Sequence, residues 1–140
     1  MIKLVKTFTY NGRDCSICKV TDGLTQWLTA YVHLPELTEY YEDEMARVPD
    51  YIDRVEEPLD DYLFNAPFVS FIGMFDSTKV VGYDHEVVSD KVFSVGLDLA
   101  HLQYLELNDK MSIDLAESQL KEIVDFIEDN YKEIENIIKG

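Results

Sequence analysis

The sequence predicts an α+β domain: an antiparallel sheet of about five or six strands, a long C-terminal helix packed on it, and short helices in an acidic middle tract. Three observations lead there. Residues 1–35 alternate apolar and polar positions between turn signals. Near the other end, Leu120, Ile123, Val124, Ile127, Tyr131, Ile134 and Ile138 recur at three- and four-residue steps, the repeat of a helix with one buried stripe. A hydrophobic content of 46% with 12% aromatics exceeds what a disordered chain carries. At 140 residues the chain has the size of one domain with a substantial core.

Taken in order, "IKLVKTFTY" places Ile2, Leu4, Phe8 and Tyr10 on one strand face, with Lys6 the exception. Asn11-Gly12 follows, a hairpin signal because both residues tolerate positive φ. A two-residue loop there sets Tyr10 opposite Arg13 and Phe8 opposite Cys15. After "TDGLT" a third strand alternates Leu28, Ala30, Val32 and Leu34 against Trp27, Thr29, Tyr31 and His33, so His33 reads as a surface histidine. Residues 1–35 thus form a three-strand meander. Residues 36–62 read as an acidic helical insert, starting after Pro35 and divided by Pro49 and Pro58. Within 63–101, "PFVSFIGMF", "TKVVGY" and "KVFSVGLDLA" read as two or three further strands. One amphipathic helix is expected over 113–139, with Ser112 as its cap, Asp114 and Glu117 at the positive end of its dipole, and Gly140 at its stop.

The formal net charge is −16, and it is uneven: residues 36–61 carry eleven carboxylates against Arg47 and Arg54 alone. Such a charge repels polyanions and attracts basic surfaces, so neither nucleic acid nor an anionic membrane is expected as a direct partner. No stretch reaches the roughly 18 apolar residues of a spanning helix. "MIKLVKTFTYNG" lacks the apolar region of a signal peptide, which makes the cytoplasm the expected location. Cys15 and Cys18 lie three apart in a strand pattern, so their thiols point to opposite faces and read as two reduced, inert groups.

Three short motifs appear in order: Tyr10, Asn11, Gly12 and Cys15; then Tyr31, Val32 and Pro35; then Gly96, Asp98, Ala100 and His101. With "GYDHEVVSDKVFSVGLDLAHLQ" around the last of them, the chain resembles a loose family of small bacteriophage-encoded proteins. These carry a "YNG…C" hairpin, a "YV…P" strand and a "GxDxAH" segment before a C-terminal helix. Many of them also have a "VHGG" segment where this chain has "FVSFIG", with Ser70 near the histidine position and a single glycine, Gly73. The resemblance transfers no activity. It implies a phage origin, a host bacterial cytoplasm as the setting, and a role in host takeover or counter-defence.

Two kinds of site compete. Imidazole and carboxylate groups of His85, Glu86, Asp98 and His101 suit zinc or manganese. Their simpler reading is a strand end at which Asp98 bonds a backbone amide. No nucleophile elbow, P-loop, GxGxxG or HExxH is present. The acidic tract is the other candidate. As one helix, residues 36–61 would run about 39 Å. Eleven carboxylates over that length give one per roughly 3.5 Å, close to the 3.4 Å per charge along one DNA strand. The prolines break that helix, so the comparison concerns density.

The leading expectation is therefore a DNA mimic that inhibits a basic, nucleic-acid-handling host protein, such as a CRISPR effector or restriction enzyme, with no cofactor. Its partner-binding residues would be Glu36, Glu39, Glu42, Asp43, Glu44, Asp50, Asp53, Glu56, Glu57, Asp60 and Asp61, with Tyr40, Tyr41 and Tyr51 as anchors. The alternatives are a small metal-dependent enzyme or nucleotide-binding protein using His85, Asp98 and His101, and a structural or assembly protein with a solvated acidic face. A sheet edge or the last helix could also pair two copies as a homodimer.

Overall fold

Asn11 and Gly12 adopt φ of 49° and 79° and close a two-residue hairpin between β1 (Ile2–Tyr10) and β2 (Arg13–Asp22). Both angles belong to the turn whose twist matches paired strands. Tyr10 faces Arg13 and Phe8 faces Cys15, as the loop length requires. β3 (Thr25–His33) follows antiparallel to β2. The computed structural model describes residues 1–47, 57–83, 91–100 and 109–139.

One irregularity in β1 decides where its side chains go. Leu4 opposes Cys18 and Lys6 opposes Ile17, which leaves Val5 as an extra residue in a bulge. With a side-chain period of two, one extra residue moves everything beyond it to the other face. Ile2 and Leu4 accordingly pack on the side of Cys18, while Phe8 and Tyr10 pack on the opposite side. The single apolar face expected for this strand is thus two half-faces. Lys6 lies on the second of them and reaches a helix, where its Nζ is 2.8 Å from Glu117 Oε2.

Beyond the meander come β4 (Phe71–Asp76), β5 (Val80–Val81) and β6 (Lys91–Asp98). The sheet order is β4-β6-β3-β2-β1-β5. It is mixed rather than wholly antiparallel, because β5 runs parallel to β1. The cause is the link Ser77–Lys79, a single 3-10 turn capped by Asp76, whose carboxylate accepts from the Thr78 amide at 3.0 Å. This turn does not reverse the chain. One segment, Phe71–Val81, therefore pairs with β6 at its start and with β1 at its end. In a flat sheet, five gaps of roughly 4.8 Å would hold the edge strands about 24 Å apart. The four Cα–Cα steps from Asp76 to Val80 cover at most about 14 Å. The sheet must curl.

Curling gives it two buried faces. The inner one holds Cys18, Phe75, Val80, Tyr83 and Val92, with Ile2, Leu4 and Tyr31 packed against them. The outer one carries Ile17, Ala30, Val32, Phe93, Val95 and Leu97 under the helices. Those are α1 (Pro35–Arg47), α2 (Glu57–Leu63), α3 (Asp109–Asp129) and α4 (Tyr131–Lys139). Pro35 occupies the first position of α1, where its missing N–H costs nothing, and Pro58 stands just inside α2 for the same reason. Thr38 joins α1 to the sheet by accepting from the Phe93 amide at 3.0 Å. Residues 48–56, with the division expected at Pro49, lie outside the described residues.

The C-terminal helix differs from expectation in two ways. It begins at Asp109, so Ser112 lies inside it and caps nothing. It also breaks at Asn130, where the side-chain amide donates to the Phe126 carbonyl at 2.8 Å and the backbone carbonyl starts the next helix by accepting from the Glu133 amide. An asparagine that competes for a helical carbonyl ends the helix, and the Tyr62 hydroxyl holds it there by donating to Asn130 Oδ1 at 3.0 Å. Leu120, Ile123, Val124 and Ile127 still bury on one side of the break and Ile134 and Ile138 on the other. Among the described residues no helix is long and apolar enough to cross a membrane.

At one position the β3–β6 pairing requires glycine. A Cβ on Gly96 would lie 2.2 Å from the Ala30 carbonyl oxygen and 3.0 Å from the Tyr31 ring, which packs across it. The obstacle is backbone, so no rotamer change relieves it. Gly96→Ala should lower unfolding free energy by at least about 2 kcal/mol through overpacking, read as a shifted urea midpoint with an unchanged slope. Wild-type stability in that variant would show that the strands separate at no cost.

Candidate functional site

The residues of the acidic tract do not share one role. Glu36 opens α1, pairs with Arg13, and accepts from the Tyr131 hydroxyl at 3.0 Å. Arg13 also pairs with Glu128 of α3 and lies over the Tyr131 ring of α4, 5.2 Å from its centroid. Burial opposes the Arg13 charge, but the carboxylates of Glu128 and Glu36 prevail and hold it above its ordinary pKa. Burial likewise opposes the Glu36 charge, and its own amide, Arg13 and Tyr131 outweigh this and hold its pKa low. This cluster ties the first hairpin to three helices. Glu36 is spent on it and leaves the predicted contact set.

Tyr41 leaves it too: only 7% exposed, its ring packs 4.6 Å from that of Phe93, so it anchors the core rather than a partner. Tyr40 stays 45% exposed, with Lys139 Nζ 4.7 Å from its ring centroid. Glu39, Glu57 and Asp61 are exposed and Asp60 is half-buried. Glu42, Asp43 and Glu44 belong to α1. Asp50, Tyr51, Asp53 and Glu56 lie outside the described residues.

Assembled in three dimensions, the charge of the described residues follows the layers. The four helices carry seventeen acidic residues against five basic ones, while the strands and the 3-10 turn carry four against six. The helical layer is therefore near −12 and the sheet near +2. Glu39, Glu57, Asp61, Asp114, Glu122, Asp129 and Glu133 are exposed and, among the described residues, unpaired. On α3, Asp114, Glu122, Asp125 and Asp129 fall within about 80° of one another at 100° per residue, along about 22 Å of axis. All four are exposed, opposite the buried stripe. Attention to the apolar repeat of this helix passes over them, yet that same repeat implies the stripe. At one carboxylate per roughly 7 Å it has half the linear density of a DNA strand. The whole helical layer is needed to approach the density counted along the tract.

The second feature is buried. His33 is 2% exposed, not a surface residue, because the curl covers the inner face on which it stands. Its ring packs 5.0 Å from that of Phe75. Ser94 donates to the Val92 carbonyl at 3.1 Å, which leaves its oxygen to accept from His33 Nδ1–H at 2.7 Å. Nε2 then accepts from the Ser16 hydroxyl at 2.8 Å, and Tyr83 donates to Ser16 at 2.9 Å. Each member of this chain is satisfied with the imidazole neutral. Burial pushes the His33 pKa down to about 4, with Asp14 pulling weakly the other way. Cys18 shares this face and Cys15 lies under the helices, and burial raises both thiols to about 12.

Of the alternative metal set, Asp98 accepts from the Ala100 amide at the end of β6, while His85, Glu86 and His101 lie outside the described residues. Among the described residues no group of three or more His, Cys, Asp or Glu side chains is arranged to hold a metal ion. Comparisons with family models, curated protein sequences and solved structures gave no match.

The His33 chain sets a pH dependence. Unfolded, the imidazole takes a proton near 6.5, but folded not until about 4. Between these values the unfolded state binds more protons, so stability falls on acidification. The contribution is full above 6.5, shrinks through that window and levels off below about 4, for a total loss of about 3 kcal/mol. Urea unfolding of wild type and His33→Gln at about pH 7.5 and about pH 4.5 isolates it from the other histidines and carboxylates, with the variant losing less. Equal losses would contradict a neutral, buried His33.

Proposed function

We propose that this protein binds and inhibits a basic, nucleic-acid-handling host protein by placing its acidic helical face where that protein holds a nucleic-acid backbone. The observation that carries this reading is the segregation of charge among the described residues: an excess near −12 on one layer of helices over a sheet near +2. Solubility alone asks for net charge, not for its collection on one side. A nucleic-acid-binding groove presents Lys and Arg to phosphates and gains affinity by releasing counterions. Carboxylates on a packed helical layer answer those cations without being a substrate for cutting or copying. Glu39, Glu57, Asp61 and the α3 stripe are contact groups, with Glu42, Asp43 and Glu44 on the same helix as Glu39 and Tyr40 as an aromatic contact. Glu36 and Tyr41 have structural roles. The resemblance to phage-encoded proteins directs the choice of target toward host defence nucleases such as CRISPR effectors and restriction enzymes.

Capture from a bacterial lysate at low and high salt tests this. The retained protein should be a nucleic-acid-handling one, released as salt approaches about 1 M, where the Debye length falls to about 3 Å, and displaced by added duplex DNA. Reversing Glu42, Asp43 and Glu44 to Lys should weaken capture at least about tenfold, the loss of roughly 1.4 kcal/mol, with the thermal midpoint kept. Retention that ignores both duplex DNA and the reversal would remove mimicry as the mechanism.

A further inference from the structure

Phe64 and Phe68 follow α2 and are 52% and 47% exposed, and among the described residues neither ring joins either hydrophobic cluster. Phe68 also has a φ of 68°. It comes after Pro67 in a turn, the arrangement in which the second central residue is ordinarily glycine, because a Cβ there crowds the backbone. A bulky residue at positive φ is an outlier. Neither burial nor local backbone preference accounts for phenylalanine at this position, and phenylalanine is enriched at protein interfaces relative to the rest of the surface.

The surroundings narrow what the pair contacts. Residues 55–78 contain no Lys or Arg, and exposed Glu57 and Asp61 stand on the helix that leads into Phe64. A second copy would bring carboxylate against carboxylate, and nucleic acid or an anionic membrane would meet the same repulsion. A cationic protein surface fits on both counts, since it pairs the acids and offers apolar contact between its basic groups. Resting on the reading of the helical layer as the receiver of a basic partner, we infer that Phe64 and Phe68 dock into an aliphatic pocket flanked by Lys and Arg. Charge supplies attraction from any cationic groove. The aromatic pair selects the one with the pocket.

Two arginine-rich peptides of equal length and charge serve as probes, one interleaved with leucine and the other with serine. The leucine peptide should bind about tenfold more tightly, in line with loss or gain of one interface anchor. Its amide shift changes should centre on residues 61–69. Phe64→Ala and Phe68→Gly should each reduce the preference while leaving the serine peptide's affinity unchanged. Phe68→Gly should also raise the thermal midpoint, since it relieves the turn. Equal binding of both peptides overturns the inference and leaves the acidic-face reading standing, whereas binding of neither takes that reading down as well. A lower midpoint for Phe68→Gly overturns the claim that this side chain is held against local preference. A wild-type dimer in sedimentation that Phe64→Ala dissolves would assign the pair to a second copy and overturn the cationic partner.

Discussion

The short passage from β4 to β5 constrains the rest of the structure. Because Ser77–Lys79 carries the chain from one sheet edge to the other without turning back, the sheet cannot lie flat. An open sheet under one layer of helices buries one face and leaves the other to water. This one buries both, and each strand must supply apolar side chains in two directions. The bulge at Val5 is part of the same solution. It lets β1 give Ile2 and Leu4 to the inside and Phe8 and Tyr10 to the helices, while Lys6 finds Glu117.

Burial on both faces also explains the polar chain through His33. A strand that once enters a closed interior cannot expose alternate side chains, so Ser16, His33, Ser94 and Tyr83 must satisfy one another. An unpaired donor or acceptor there would cost roughly 1–3 kcal/mol. The arrangement has the form of a Ser-His pair, but both residues are sealed from solvent, and structural satisfaction accounts for each hydrogen bond.

On the outside, the helices that close the core also gather the charge. α1 and α3 turn apolar stripes to the sheet, α2 and α4 pack theirs among the helices, and the acids between stripes are thereby sent outward. Arg13 then fixes how α1, α3 and α4 meet at the first hairpin by pairing with both Glu36 and Glu128. A surface made this way is held in place by the packing of its helices.

Much of this is legible in the sequence. Asn11-Gly12 determines its hairpin because few residues adopt positive φ twice in succession, and the register of Phe8 and Tyr10 follows from loop length alone. The apolar repeat from Leu120 to Ile138 determines a helical face, and the opposite faces of Cys15 and Cys18 follow from a period of two. Local pattern could not report the bulge at Val5, the Tyr62 hydroxyl that holds Asn130 or the clash awaiting a Cβ at Gly96, since each depends on a partner distant in the chain. His33 shows the same limit most clearly. Alternation correctly set it opposite Ala30 and Val32, but whether that side faces water depended on the curl. Which acids stay free and which meet Arg13 was settled in the same way. The sequence by itself determined periods, turns and total charge, which are properties of neighbours. Tertiary structure alone decided what covers each face and which charges meet, because burial and pairing arise between segments that only the fold brings together.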